Sequence, residues 1–172
     1  MKRTLKFLDT QEGTEEAIEN SDADVSIRNG HPRYIRVNLL RRTMELMITS
    51  FERDGFLLKS TPSRYEDFIQ VIQTLNELEF TVDYHMPKYL LVFSPKTSAS
   101  QLFFHPLRLA GFFVLQSKAS CLCVEALAPP PGCVLLDACA SPGMKTCQAA
   151  ALICQEGQGQ VIAIEQNPPR FR

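Results

Sequence analysis

Large apolar side chains are sparse over residues 9 to 30, where Ile18, Val25 and Ile27 stand in an acidic, polar background. That composition predicts a flexible lead or a marginal helix. From Tyr34 the pattern changes. Tyr34, Ile35, Val37 and Leu39 predict a short strand, and Met44, Met47, Ile48 and Phe51 fall at i, i+3, i+4 and i+7, an amphipathic helix closed by Gly55. Phe56-Leu57-Leu58 begins a second strand. Ser63 with Glu66 has the spacing of a capping box, and Tyr65, Phe68, Ile69, Ile72 and Leu75 continue one apolar face into a second helix. Strands are expected at Phe80–Val82 and Tyr89–Phe93. The region reads as a small α/β domain of βαβ type, with the Met and Phe stripes as its core.

The polar stretch from Ser94 to Ser100 is expected to be a loop where the chain leaves this domain, with Phe103 to Leu115 as connector. Ala119, Leu122, Cys123, Ala126 and Leu127 then predict a helix, broken at Pro129-Pro130-Pro131-Gly132. An apolar strand follows at Cys133 to Leu136, then a small-residue loop reaching Gly143, then a helix start. Gln160 to Ile164 reads as a parallel partner strand. Only 26 residues follow Thr146, room for one helix and one strand.

Composition, at 45% hydrophobic and 22% charged residues, is that of an ordinary globular protein. No apolar run approaches the length of a membrane span and the N-terminus has no secretory pattern, so an intracellular protein without a membrane role is expected. All six cysteines lie between Cys121 and Cys154, without Cys-x-x-Cys or paired histidines, and are expected to be structural thiols rather than metal ligands. The net charge of -1 is unevenly spread: Lys/Arg against Asp/Glu run four to seven over residues 1 to 30, ten to eight over 31 to 115, and four to four over 116 to 172. Within the basic middle, His31 to Arg42 holds four arginines, one tyrosine and no acid. This suits phosphate contact and base stacking, although a strand with a solvated arginine face has the same composition.

The loop after the strand at Cys133 to Leu136 carries the chemistry. A glycine turn between strand and helix lets the backbone approach a ligand, and the helix start offers N–H groups and positive potential to an anion. Glu165 lies 22 residues beyond Gly143, close to the spacing at which an acid meets ribose hydroxyls. The loop has neither the glycines of a dinucleotide fingerprint nor those of a triphosphate loop. A ligand with a ribose and a carboxylate but no phosphate fits better, which describes S-adenosylmethionine.

Four blocks, Arg33-Tyr-Ile-Arg-Val-Asn38, Ala110 to Gln116 with Lys118-Ala-Ser120, Pro129 to Gly132, and Asp137 to Thr146, together resemble the Sun-domain RNA cytosine-5 methyltransferases, and most of all the branch acting on large-subunit ribosomal RNA. The likeness runs from about residue 32 to the end. It implies a flexible acidic lead (1 to 30), an RNA-recognising α/β domain with connector (31 to 115), and the first β-α-β of a Rossmann-like methyltransferase domain (116 to 172). By the same resemblance, Arg33, Arg36, Asn38, Arg41 and Arg42 contact RNA. Asp137, Cys139, Ala140, Ser141, Pro142, Gly143, Met144, Lys145, Glu165 and Arg170 form the cofactor set, and the location is the nucleus or nucleolus. Three residues depart from the family pattern: Ser141 replaces alanine, Met144 a small residue, and Ser117 an aspartate.

Cytosine C5 methylation needs a thiolate that adds at C6. The resemblance implies that the family supplies it from a Thr-Cys motif and uses a second cysteine after paired prolines. Thr146-Cys147 and Pro131-Gly132-Cys133 occupy other places, so no catalytic residue is assigned. Two readings stay open: the N-terminal part of a methyltransferase, inactive alone, or a noncatalytic RNA-binding or interaction module.

Overall fold

The structure, a computed structural model, describes residues 30–154 and 158–166. The expected acidic lead, Gly30 apart, and Arg170 lie outside the described residues. A five-stranded sheet has the order β2-β3-β4-β1-β5, with β1 Arg33–Val37, β2 Leu57–Lys59, β3 Glu79–Val82, β4 Leu90–Phe93 and β5 Phe113–Leu115. β1 runs antiparallel to both β4 and β5, β3 antiparallel to β4, and β2 parallel to β3.

Helix α1, Met44–Arg53, starts where the Thr43 hydroxyl accepts the Leu46 N–H, and stops before Gly55 at a φ of 93°. A left-handed residue ends a helix at little cost only when it lacks a Cβ. Met44, Met47 and Phe51 are buried as their spacing requires, and Phe51 meets Phe56, Phe80, Phe93, His105 and Phe113 at ring-centroid distances of 5.0–5.8 Å. Helix α2, Tyr65–Thr74, has Arg64 as its N-cap with no side-chain cap bond. The capping box expected from Ser63 and Glu66 does not form, because the helix begins one residue later and Ser63 instead lends its carbonyl to the Tyr84 hydroxyl at 3.1 Å.

The Ser94 to Ser100 turn is tacked down rather than an exit. Ser94 Oγ donates to the Leu75 carbonyl at 2.9 Å and Thr97 Oγ1 to the Glu77 carbonyl at 2.6 Å. The chain continues through α3 (Ala99–Phe103) and α4 (Pro106–Leu109) and returns as β5 beside β1, pairing Val37 with Phe113 and Ile35 with Leu115. The expected connector is therefore part of the sheet. The three residues of β5 are too few to show strand alternation in sequence.

Both faces of this sheet are covered. Ile35, Val37, Phe80, Leu91, Phe93 and Phe113 turn toward α1 and α3, while Tyr34, Val92 and Leu90 turn toward α2 (Phe68, Ile72) and toward Cys121 of α5, Lys118–Leu127. Past Pro129, β6 (Val134–Asp137), α6 (Met144–Ile153) and β7 (Gln160–Ala163) form a β-α-β unit with parallel strands, Val134 opposite Gln160 and Asp137 opposite Ala163. One face of that pair is open: Val134, Leu136 and Ile162 are 65%, 60% and 46% exposed.

Candidate cofactor-binding loop

The loop from Asp137 to Met144 is closed by its own polar groups. Asp137 ends β6 and spends both carboxylate oxygens locally: Oδ1 accepts the Cys139 N–H at 3.2 Å and Oδ2 the Thr146 hydroxyl at 2.6 Å. A short charge-assisted bond of this kind is worth about twice a neutral one. Strand pairing continues into the loop through Ile164 N–H to the Asp137 carbonyl at 2.7 Å and Ala140 N–H to the Ile164 carbonyl at 3.0 Å. The Ser141 N–H donates to Glu165 Oε2 at 3.2 Å. Asp137 and Glu165, at the carboxyl ends of adjacent parallel strands, thus flank the same turn, the crevice position at which open α/β sheets bind ligands.

Gly143 caps α6 with a φ of 90°, and a Cβ there would meet nothing within 4 Å. The backbone conformation demands glycine, and the space above it is open. The first N–H groups of α6 have no partner within the helix. With no acid in that turn and Lys145 exposed beside it, the local potential suits a carboxylate. Ala140 is buried, Ser141, Gly143, Asp137 and Glu165 are half-buried, and Cys139, Pro142, Met144 and Lys145 are exposed. The donor set could hold the carboxylate of an amino acid such as that of S-adenosylmethionine at the loop and α6 start, and the Glu165 carboxylate lies beside it. Thr146 belongs to the site as well; its place in the Gly-Met-Lys-Thr run was its signal.

The five residues expected at RNA separate into two groups. Arg36 is 2% exposed and Arg33 is buried, with Arg33 Nε donating to the Thr97 carbonyl at 2.5 Å and Arg36 Nε to Gln116 Oε1 at 2.7 Å. Their strand is covered on both faces, and the two side chains, three residues apart, turn into protein on opposite sides of it. Asn38 shapes a turn, with Nδ2 donating to the Gly111 carbonyl at 3.1 Å and Oδ1 accepting the Leu40 N–H at 3.3 Å. Arg41 is exposed, anchored by Nη1 to the Ala110 carbonyl at 2.7 Å. Arg42 lies with its guanidinium 5.0 Å from the centre of the Phe112 ring and Nη2 bonded to Ser50 Oγ at 2.9 Å. The surface cations of this segment are at its C-terminal turn.

Among the described residues the cysteines are unpaired, no helix is long and apolar enough to cross a membrane, and no His, Cys, Asp or Glu cluster could hold a metal ion. Burial pushes the Cys121 thiol up to about 11, the reverse of what a nucleophile needs.

Comparison with known proteins follows the same division. The family described as NOL1/NOP2/Sun domain family member 5, ferredoxin-like domain, matches residues 31–116. A 28S rRNA (cytosine-C(5))-methyltransferase of Mus musculus is 41% identical over 140 residues, 81% of this chain and 28% of that protein. Its counterpart by name in Drosophila melanogaster is 34% identical over 152 residues, 87% of this chain and 34% of that protein. A crystal structure of a methyltransferase homolog from Pyrococcus horikoshii superposes with a TM-score of 0.55 at 25% identity, covering 92% of this chain and 42% of that one. The chain spans roughly a third of the length of these curated relatives.

Proposed function

Since the chain belongs to the NOL1/NOP2/Sun domain family, with the ferredoxin-like domain of its member 5, we propose that it supplies RNA recognition and the opening half of an S-adenosylmethionine site to cytosine-C5 methylation of large-subunit ribosomal RNA, in the nucleus or nucleolus. The observation that carries the reading is the joint closure of one loop by Asp137 and Glu165, through Thr146 and the Ser141 N–H. The cofactor, when bound, supplies an electrophilic methyl group. The residues of this chain hold and orient: the α6 start faces the carboxylate, Glu165 the ribose, and the turn carrying Arg41 and Arg42 the RNA backbone. The proposed boundaries are a lead to residue 30, an RNA-recognising domain to Leu115, and the cofactor unit beyond.

Calorimetric titration of the chain with S-adenosylmethionine tests this. Weak, saturable binding that Glu165→Ala abolishes is the expected result; binding unaffected by that change removes Glu165 from the site. A second reading, a noncatalytic RNA-binding module, is favoured by the core on one face of the five-stranded sheet, whose buried members all lie between Ile35 and Phe113. Binding to ribosomal RNA with no cofactor affinity is the result that selects it, and failure to bind RNA at low salt excludes it.

A further inference from the structure

Gln148 is a buried amide followed in α6 by Ala149, Ala150 and Ala151, and its hydrogen bonds extend in both directions. Its Oε1 accepts from Gln116 Nε2 at 2.9 Å, and its Nε2 donates to the Tyr89 hydroxyl at 3.1 Å and to the Cys121 carbonyl at 3.0 Å. Gln116 Oε1 in turn accepts from Arg36 Nε at 2.7 Å, and Tyr89 donates to Glu125 Oε1. Arg36 Nη2 reaches the Met144 carbonyl at 3.3 Å. A guanidinium can only donate and a carboxylate only accept, so the two amides between them have one usable orientation each. The result is a file of dipoles running head to tail from a buried cation to an acid, in which each bond strengthens the next.

The file joins separate parts of the fold. Arg36 comes from β1, Gln116 from the segment after β5, Gln148 and Met144 from α6, Tyr89 from the approach to β4, and Glu125 from α5. Asp137 and Glu165 tie the loop to its own two strands, whereas Arg36 ties the residue just past Gly143 to the other sheet.

We propose that Arg36 is a positioning residue for the cofactor loop: held by Gln116, it fixes the first turn of α6, so that the loop keeps its ligand-ready shape only while docked on β1 of the ferredoxin-like unit. Its effect on S-adenosylmethionine affinity rests on the reading given under the proposed function; its effect on the loop does not. Lysine at this position keeps the charge, but its three donors sit on one nitrogen, without the fork that lets Arg36 meet Gln116 through Nε and Met144 through Nη2.

Hydrogen exchange on the full chain separates the cases. Arg36→Lys is expected to accelerate amides between Cys139 and Gln148 roughly tenfold or more, the scale of one lost charged hydrogen bond, while β3 and β4 keep their protection. Arg33→Lys, the same change at the buried neighbour bonded to Thr97, leaves the loop as it was. Unchanged exchange in Arg36→Lys, uniform acceleration across the chain, or a loop-selective effect of Arg33→Lys overturns the proposal. In parallel titrations Arg36→Lys weakens S-adenosylmethionine binding about tenfold. Wild-type protein that fails to bind the cofactor sinks the cofactor reading, while the exchange result still decides the role of Arg36.

Discussion

The Thr146 hydroxyl donates to Asp137 Oδ2 across 2.6 Å, closing the end of β6 onto the first turn of α6. Thr146→Val keeps the branched shape and removes the donor, leaving a half-buried carboxylate oxygen to lose a bond worth about 1.5–3 kcal/mol. Loss of cofactor affinity with a small drop in the urea midpoint is expected, and Thr146→Ser should recover both. A valine variant that binds like wild type would separate this bond from the site.

His105 carries a pH dependence. Its Nδ1 accepts the Leu107 N–H at 3.2 Å to cap α4, Nε2 lies 3.5 Å from Asp54 Oδ2, and burial lowers its pKa more than the Asp54 charge raises it. The folded state therefore favours the neutral ring. The contribution is fully present above the unfolded value near 6.5 and declines as pH falls below it, because the unfolded chain takes up the proton first. The melting temperature should drop between pH 7.5 and 5.5, and His105→Asn, which keeps a capping acceptor, should flatten that slope; equal slopes in the two proteins contradict the assignment.

Phe51 and Leu46 share helix α1 but opposite environments, 0% and 53% exposed. Phe51→Ala empties the centre of a five-ring cluster and should cost about 3–5 kcal/mol. Leu46→Ala should stay within about 0.5 kcal/mol. Denaturant titration of both checks the placement of the core.

Arg41 and the buried arginines differ in what salt does to them. Arg41→Ala should reduce the salt slope of RNA binding by about 0.7–0.9, one phosphate contact. Arg33→Lys should leave the slope alone and lower stability instead. An unchanged slope in Arg41→Ala moves the RNA surface elsewhere.

Incubated with ribosomal RNA and methyl-labelled cofactor, this chain should incorporate no label, since burial raises the pKa of the Cys121 thiol and the exposed and half-buried thiols lie outside the expected catalytic motifs. Label at cytosine C5 would overturn that expectation.

What was legible in the sequence is what local physics decides. The period of Met44, Met47 and Phe51 places α1, the unbroken apolar run before Phe93 places β4, and the strand–glycine–helix pattern around Asp137 and Gly143 places the loop. The Glu165 spacing brought an acid to the loop, where its carboxylate meets the Ser141 N–H. The burial of Arg33 and Arg36 was out of reach because a polar side chain on a strand ordinarily faces water; here Thr97 receives Arg33 while residues 65–74 and 118–153 cover the face of Arg36, beyond any local window. Gln116 and Gln148 were missed for the same reason, each being polar for the sake of a distant partner. Two departures from the family pattern lose their weight in three dimensions. Ser117 accepts the Ser120 N–H as N-cap of α5, a task aspartate performs equally well, and at Ser141 the bond to Glu165 comes from the backbone.

Because β5 arrives last and lies beside β1, the first sheet is not finished until Leu115 has been made. A gene fragment stopped near Ser100 would leave β1 with a naked edge and the Phe113 niche vacant, a stub inclined to stick to its copies. For anyone dissecting this protein, a cut after Gln116 would keep that edge paired but strip Cys121 and Lys118 from the opposite face.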